Sequence, residues 1–428
     1  MVERDQLRVA INTPYPLRKN RPDGVTQFIV GLKPHLADKG CLVRTIGPHI
    51  KDKENNAADY TLGRTTVKLP FNNTVFESGY SFNKDRAEGI LRAARPDVLV
   101  IHEPLAGHIA HTLISGCPRN PDGKLIPTVI GHNHAHIEWV NRKTNLVIKL
   151  IKRVKRPRRN GHTIELSDGY FNTIFDSMDG RIAVSKATAD FWNKRYPCDN
   201  QKVIYNGIDT SSLTPEGPTI AKWNDGKQTI LFCGRHDPRK GIEYLIKAYA
   251  LLRTQRDDIK LKITGEGQTT EKLYALVDEL QVPDVEFLGI LPRENASAEV
   301  DLIRAYRSAK VFVSPATGGE GFGRTLAEAL ACGTLPVGTD IDGYREVIGG
   351  RPFARSARPA NPNDLAIKIV DFLDMPEEER SALQAQGRQY VEDNFSWPKI
   401  AEETVLYYEE LVKKHGKSIW PQKKRKGL

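Results

Sequence analysis

The chain has 428 residues, with 63 Lys and Arg against 53 Asp and Glu and a net charge of +10 at neutral pH. That length predicts two or three domains whose cores need no disulfide or metal staple. Hydrophobic residues at 39% and aromatics at 8% exclude a disordered protein at one extreme and a bundle of membrane spans at the other.

Short apolar runs alternate with amphipathic stretches along the whole chain, the pattern of parallel sheets with crossover helices. Strands are expected at 7–12, 41–46, 98–102, 128–131, 181–184 and 203–205, with helices at 25–38 and 107–115. The Pro- and Gly-containing stretch Thr214 to Pro218 reads as an interdomain linker. A second series follows, with strands at 229–233, 260–264, 285–287, 310–314 and 335–338. Its helices are expected at 241–253, 270–280, 296–308 and 323–332. A last amphipathic helix covers 397–414. The fold class expected is α/β, two facing doubly wound Rossmann-like domains with a cleft between them. The first covers 1–209 and the second 210–395. A final helix over 396–416 returns to the first domain, and 417–428 is a basic tail.

The amino terminus enters an apolar strand with no basic-then-apolar leader, and no segment reaches the ~18 apolar residues of a span. The five cysteines, Cys41, Cys117, Cys198, Cys233 and Cys332, are scattered and include no Cys-x-x-Cys. Neither a redox pair nor structural zinc is expected, and the compartment expected is the reducing cytoplasm.

The positive charge is local. Lys149 to Arg159 holds seven basic residues and Lys413 to Lys426 seven more, with no acid in either window; outside them acids slightly outnumber bases. In the first window Val147, Leu150, Ile151 and Val154 recur at helical spacing, and Lys149, Lys152, Arg153 and Arg156 take the other face. Trp139 and Val140 lie just upstream. The pattern fits adsorption to an anionic membrane surface, where each cation near the headgroups contributes about 1 kcal/mol. It fits equally a helix packed on its own domain with a solvated basic face. Nucleic acid is a weaker third reading, because no aromatics interleave with the charges. The tail Lys423 to Lys426 is most simply a disordered basic end.

In doubly wound domains ligands bind at the carboxyl ends of strands, so the loops leaving those strands carry the candidate chemistry. After Cys233 comes Gly234-Arg235-His236-Asp237-Pro238-Arg239-Lys240-Gly241, which sets Arg235 and Lys240 at a strand mouth ahead of a helix amino terminus. Cations and free helical N–H groups together favour a diphosphate, although two solvated surface cations are the commoner state of such residues. After Pro315 comes a glycine-rich loop, Thr317 to Gly323, leading into a helix; Glu320 lies in the loop and Glu328 on the helix. Glycines admit backbone amides to a ligand. The two carboxylates can grip two hydroxyl-bearing parts of one extended ligand, a transferred sugar and a ribose; the alternative is a loop glutamate and an ordinary helix-surface residue. Thr13 to Val25 places Gly24 at a helix start. Gly131-His132-Asn133-His134-Ala135-His136 follows a strand; lacking an acidic cluster, it suits one histidine polarising a substrate group better than a metal site. No G-x-G-x-x-G, G-x-x-x-x-G-K-[ST] or G-x-S-x-G occurs, which argues against a dinucleotide oxidoreductase, a P-loop NTPase and a serine hydrolase. Asp340-Ile341-Asp342 has the form of a nucleotide-metal site but reads better as a structural loop.

Taken together, Gly234-Arg235 with Lys240-Gly241, Thr264-Gly265-Glu266-Gly267, and Glu320-Gly321-Phe322-Gly323 with Glu328 resemble the retaining glycosyltransferases of family 4, of the two-Rossmann-domain (GT-B) type. Pro14-Tyr15, Gly24-Val25, Pro70 to Val75, Ile101 to Pro104, Gly180 to Ser185 and Thr339 to Arg345 resemble, within that family, the bacterial phosphatidylinositol mannosyltransferases. The resemblance implies that His132, Arg235, Lys240 and Glu320 are catalytic, with Arg235 and Lys240 neutralising a diphosphate and Glu320 binding sugar hydroxyls. It implies donor contacts from Gly24, Gly234, Gly265, Gly321, Phe322, Gly323 and Glu328, the last to the ribose. Tyr15, Thr26, Asn72 and Thr74 fall in the implied acceptor region. Thr26 stands where the group has glutamine, and Glu77 near where it has an arginine for the lipid headgroup; Glu77 would repel an inositol phosphate. The stretch from Trp139 to Tyr170 is also longer than in the group.

The resulting expectation is a metal-independent hexosyltransferase with no cofactor, using a nucleotide diphosphate sugar, GDP-mannose, as co-substrate. A lipid acceptor, phosphatidylinositol-like, would be reached by peripheral association with the anionic inner face of the cell membrane, with no nucleic acid partner. The alternatives are the same chemistry on a soluble or polyprenyl-linked acceptor and, remotely, a basic nucleic-acid-binding module.

Overall fold

A computed structural model of the chain describes residues 6–12, 24–48, 58, 60–62, 67–68, 75–76, 84–102, 113–114, 117, 119, 125, 127–133, 174–292 and 300–416. It divides into two compact units, Met1–Tyr205 with Ile400–Leu428, and Asn206–Lys399.

The first unit is built on a seven-stranded parallel sheet of order β3-β2-β1-β6-β7-β8-β9. Its strands are β1 (Arg8–Asn12), β2 (Leu42–Pro48), β3 (Tyr60–Leu62), β6 (Val98–His102), β7 (Thr128–Asn133), β8 (Gly180–Ala183) and β9 (Gln201–Val203). A separate antiparallel pair joins β4 (Val67–Lys68) to β5 (Val75–Phe76). The β6 sequence Val-Leu-Val-Ile-His is buried throughout, as expected of a strand covered on both faces. The helix after β8, Lys186–Arg195, starts where Ser185 accepts from the Thr188 N–H at 3.1 Å. Arg181 is buried in β8, with its guanidinium held by neutral oxygens: Gln201 Oε1 at 2.8 Å, Asn193 Oδ1 at 3.2 Å and the Tyr196 carbonyl at 2.7 Å.

The second unit carries a six-stranded parallel sheet of order β12-β11-β10-β13-β14-β15. These are β10 (Gln228–Cys233), β11 (Ile259–Thr264), β12 (Val285–Phe287), β13 (Val311–Ser314), β14 (Pro336–Thr339) and β15 (Arg355–Ala357). In each sheet the strand order reverses beside the first strand of the unit, between β1 and β6 and between β10 and β13. Such switch points open a crevice at the carboxyl ends of the strands, where two loops leave in opposite directions. The fold class is thus α/β with two doubly wound Rossmann-like units.

Several elements differ from the sequence reading. The expected linker 214–218 is fastened to the second unit: Arg307 Nε donates to the Thr214 carbonyl at 2.7 Å, and Leu213 and Ile220 on either side are buried. Arg388 likewise donates to the Thr210 and Ala331 carbonyls at 2.7 and 2.8 Å. The units divide after Tyr205, because the Ile208 N–H donates to the Phe395 carbonyl at 2.7 Å and ties that segment to the second unit. The helix expected at 296–308 is described as Leu302–Ser308, capped by Asp301 accepting from the Arg304 N–H at 2.8 Å; residues 293–299 lie outside the described residues. Helices Lys84–Ala94, Lys186–Arg195, Asp342–Ile348, Pro362–Leu373 and Glu377–Phe395 and strands β3, β4, β5 and β15 were not anticipated.

The last helix, Trp397–His415, joins the first unit from Ile400 onward. Its Tyr407 hydroxyl accepts from the Arg181 N–H at 3.0 Å and donates to the Asn200 carbonyl, and Lys414 Nζ reaches Asn200 Oδ1 at 2.6 Å. Replacing Tyr407 by phenylalanine removes both bonds of this hydroxyl and leaves the Arg181 N–H and the Asn200 carbonyl only their mutual bond at 3.0 Å, which should cost about 0.5–1.5 kcal/mol of stability. Urea denaturation checks this: the midpoint of Tyr407→Phe should fall, and an unchanged midpoint would mean that this hydroxyl does not anchor the helix.

Candidate functional site

The candidate site is assembled at the β10/β13 switch point from loops that the sequence places far apart. Beyond Cys233 the backbone passes Gly234, Arg235 and the buried His236, and Asp237 then starts a 3-10 turn, Pro238–Lys240. The Asp237 carboxylate accepts from the Arg239 N–H at 3.0 Å and from Arg239 Nε at 3.1 Å. Burial pushes its pKa up, but the bonds and charge of Arg239, aided by Arg235, outweigh this and hold it below the ordinary aspartate value. Gly241 ends the turn at φ 64°, and a β-carbon there would overlap the Pro315 carbonyl oxygen. Only glycine lets the loop lie against the segment that follows β13.

That contact is sealed by hydrogen bonds. The Thr317 N–H donates to the Arg239 carbonyl at 2.8 Å, and Arg239 Nη1 donates to the Gly319 carbonyl at 3.3 Å. The consequence is an ion pair between two residues singled out from sequence: Lys240 Nζ lies 3.0 Å from Glu320 Oε1, with side chains 18% and 17% exposed. Arg235 is exposed nearby in sequence, and among the described residues its guanidinium has no ion-pair partner.

A second seam joins the β10 loop to the β11 loop. The His236 N–H donates to the Glu266 carbonyl at 3.0 Å, and the Thr269 N–H donates to the His236 carbonyl at 3.2 Å. His236 Nδ1 is 2.8 Å from Thr270 Oγ1. Burial, only partly offset by Glu266, lowers the His236 pKa below its ordinary value. Gly265, at φ 113°, lies so close to Gly234 that a β-carbon would overlap the Gly234 carbonyl oxygen. Sequence reasoning passed over His236 and Arg239, the fasteners of these two seams.

The loop after β13 is held from beneath. Gly343, in helix Asp342–Ile348, packs against the Glu320 carbonyl so closely that no β-carbon fits. Gly321 follows Glu320, and Gly323, at φ 90°, leads into helix Arg324–Ala331. Phe322, singled out as a donor contact, is 2% exposed and packs edge-on against Phe395 with ring centroids 5.0 Å apart, so the structure places it as an anchor of the loop. Glu328 is 4% exposed; its Oε2 accepts from the Tyr306 hydroxyl and its Oε1 from Arg324 Nε, each at 3.2 Å.

In the first unit His132 and His102 are paired across β7 and β6, both buried, with rings stacked 4.6 Å apart. Phe28 meets His132 edge-on at 4.7 Å. Asn12, at the end of β1, accepts from the His102 N–H at 2.9 Å. Asn12 was not singled out, and His102 only within the segment Ile101 to Pro104; the available signal was a polar residue ending each of two otherwise apolar strands. Gly24 is the first residue of helix Gly24–Asp38, and Thr26 follows in its first turn. Tyr15, Asn72, Thr74, Glu77, His134, His136, the basic segment 147–159 and the tail from Lys417 lie outside the described residues.

The Asp-x-Asp segment is engaged structurally: Arg345 pairs with Asp340 Oδ1 at 2.7 Å and Asp342 Oδ1 at 2.5 Å. Among the described residues no group of three or more His, Cys, Asp or Glu could hold a metal ion, and no helix is long and apolar enough to cross a membrane.

Residues 22–212 match the family described as Glycosyltransferase Family 4, and residues 216–390 match Glycosyl transferases group 1. The chain is 26% identical over 414 residues to the phosphatidyl-myo-inositol mannosyltransferase of Mycolicibacterium smegmatis, covering 94% of each chain. Its fold is similar to that of sucrose-phosphate synthase from Thermosynechococcus elongatus, with a TM-score of 0.71 at 19% identity over 96% of this chain and all, 100%, of that one. It is also similar to Anabaena HepE solved with UDP and glucose, with a TM-score of 0.69 at 14% identity over 95% and 100% of the two chains. With both halves matched, the near full-length likeness and two doubly wound units of the GT-B type, the chain belongs to family 4 of the glycosyltransferases.

Proposed function

We propose that this glycosyltransferase moves mannose, with retention of anomeric configuration, from GDP-mannose to a phosphatidylinositol-like lipid at the cytoplasmic face of a membrane. The observation that carries the reading is the Lys240–Glu320 ion pair at the β10/β13 switch point, with Arg235 on the same loop as Lys240. A cation and a carboxylate held side by side suit a ligand that joins an anionic diphosphate to a polyol. The likeness to a phosphatidyl-myo-inositol mannosyltransferase supports mannose and the inositol lipid, and HepE, solved with UDP and glucose, supports a nucleotide-linked sugar.

The chemistry needs no enzymic nucleophile. In a front-face transfer the glycosidic bond to the diphosphate breaks as the acceptor oxygen bonds to the anomeric carbon from the same side, and a leaving-diphosphate oxygen takes the acceptor proton. Arg235 and Lys240 stabilise the charge that develops on the diphosphate, while Glu320 orients the sugar hydroxyls. Glu328 takes the ribose.

Arg235→Ala and Lys240→Ala should each lower sugar transfer by about two orders of magnitude with unchanged thermal melts, since one electrostatic donor is worth about 3 kcal/mol in the transition state. Radiolabelled sugar transfer measures this, and near-wild-type turnover in both variants would sink the reading. Turnover should also survive EDTA, because two cations and loop amides neutralise the diphosphate; loss on chelation with recovery on adding Mg²⁺ or Mn²⁺ would overturn metal independence.

The membrane half of the proposal rests on the sequence pattern of residues 147–159. Sedimentation with anionic liposomes should weaken as salt rises, since screening acts within about 8–10 Å near physiological ionic strength. Joint replacement Lys149→Glu, Lys152→Glu, Arg153→Glu and Arg156→Glu should abolish it while leaving donor-sugar hydrolysis intact, because the proposed diphosphate ligands belong to the other unit. Wild-type sedimentation of that variant would favour a soluble or polyprenyl-linked acceptor.

A further inference from the structure

The proposed role of Glu328 leaves the phenol beside it unexplained. Tyr306 sits on helix Leu302–Ser308, is completely buried, and packs edge-on against Phe312 with ring centroids 5.4 Å apart. Its backbone carbonyl accepts from Thr334 Oγ1 at 2.6 Å, which fixes the main chain from which the ring projects. The phenol donates to Glu328 Oε2 at 3.2 Å. Burial first, and then Cys233, Glu328 and Cys332, hold its pKa well above the ordinary tyrosine value, so it stays a donor. A phenol has one proton, and here a carboxylate oxygen takes it.

The other oxygen faces a different partner. Arg324, one helical turn before Glu328, donates to Oε1 at 3.2 Å, and its side chain is 22% exposed. The carboxylate is therefore held by an immovable neutral donor on one side and by a long, partly solvated cation on the other. A carboxylate is an acceptor with about four lone-pair sites, and a vicinal diol presents it with two O–H donors. Left unfixed, a glutamate carboxylate rotates broadly about its last torsion and would lose that freedom on binding.

We propose that Tyr306 is a positioning residue, fixing the plane of the Glu328 carboxylate so that it accepts both hydroxyls of a nucleotide ribose, with Arg324 the movable partner. The proposal rests on the reading of Glu328 as the ribose ligand, and the test separates the two.

Calorimetry with GDP, UDP and their 2′,3′-dideoxy analogues reads the diol directly. Wild-type protein should bind its preferred ribonucleotide at least about tenfold more tightly than the dideoxy form, the scale of one or two charge-assisted hydrogen bonds. Tyr306→Phe should weaken the ribonucleotide about tenfold and leave the dideoxy affinity unchanged, so that discrimination collapses. A merely structural tyrosine would weaken both ligands alike, and that result, or undiminished discrimination, overturns the proposal. Equal binding of both ligands by wild-type protein would instead overturn the reading of Glu328. Arg324→Ala, at a partly exposed position, tests the same claim without disturbing the buried phenol. Its discrimination should stay within about threefold of wild type, and its collapse would transfer the positioning to Arg324.

Discussion

The Thr317 N–H donating to the Arg239 carbonyl at 2.8 Å joins the two loops from which the candidate site is built. β10 and β13 are neighbours in the sheet, with Ile230 beside Val311 and Leu231 beside Phe312, so their loops leave the carboxyl edge side by side. Adjacency alone would let them diverge, because the strand order reverses at this point. The backbone hydrogen bond between the loops, and the absence of a side chain at Gly241 over Pro315, hold them in contact. Lys240 and Glu320 then meet in a partly buried setting. As exposed residues on separate loops, they would form a pair worth about 0–1 kcal/mol and ordered no better than other surface ions.

The same device recurs around the site. Gly265 lies on the Gly234 carbonyl and Gly343 on the Glu320 carbonyl, each a backbone-to-backbone approach that a β-carbon would prevent. The charged side chains are thus placed by main-chain contacts, which are stiff. Side-chain ligands carried on a stiff frame lose little freedom when a ligand arrives, the condition under which electrostatic stabilisation counts most.

The sequence revealed the frame far better than its fastening. β10 and β13 are largely apolar runs, and burial on both faces of a parallel sheet makes such runs stand out, while β11, Ile-Lys-Leu-Lys-Ile-Thr, shows the alternation of a strand. β15, with the three residues Arg355 to Ala357, is too short and too polar at its start for that signal. Helix Glu377–Phe395 has few apolar positions and buries Arg380 and Gly387 beside Val391 and Phe395, so its inner face carries no apolar stripe. At the site, the glycine-rich loops and the residues Lys240, Glu320 and Glu328 were legible as types. Their pairing was not, because a salt bridge between residues eighty positions apart depends on two loops crossing. Phe322 lies in a ligand-rich motif, and its T-shaped packing on Phe395 shows that a large apolar side chain in a glycine loop can also anchor it.

The pairing also changes what a substitution at each cation can mean under the proposed function. Arg235 is exposed, and removing it deletes a charge that makes no ion pair among the described residues, though it helps to keep the Asp237 carboxylate ionised. Lys240 is bound to Glu320, so its removal takes a cation from the diphosphate and also releases the carboxylate meant for the sugar. A loss at Arg235 therefore leaves the carboxylate meant for the sugar paired with Lys240 and speaks mainly of the diphosphate. A loss at Lys240 mixes diphosphate and sugar, and the two contributions separate only when Lys240 and Glu320 are changed singly and together. Any coupling energy found in that way belongs to the 3.0 Å contact itself, and through it to the loop crossing that brings the two residues together.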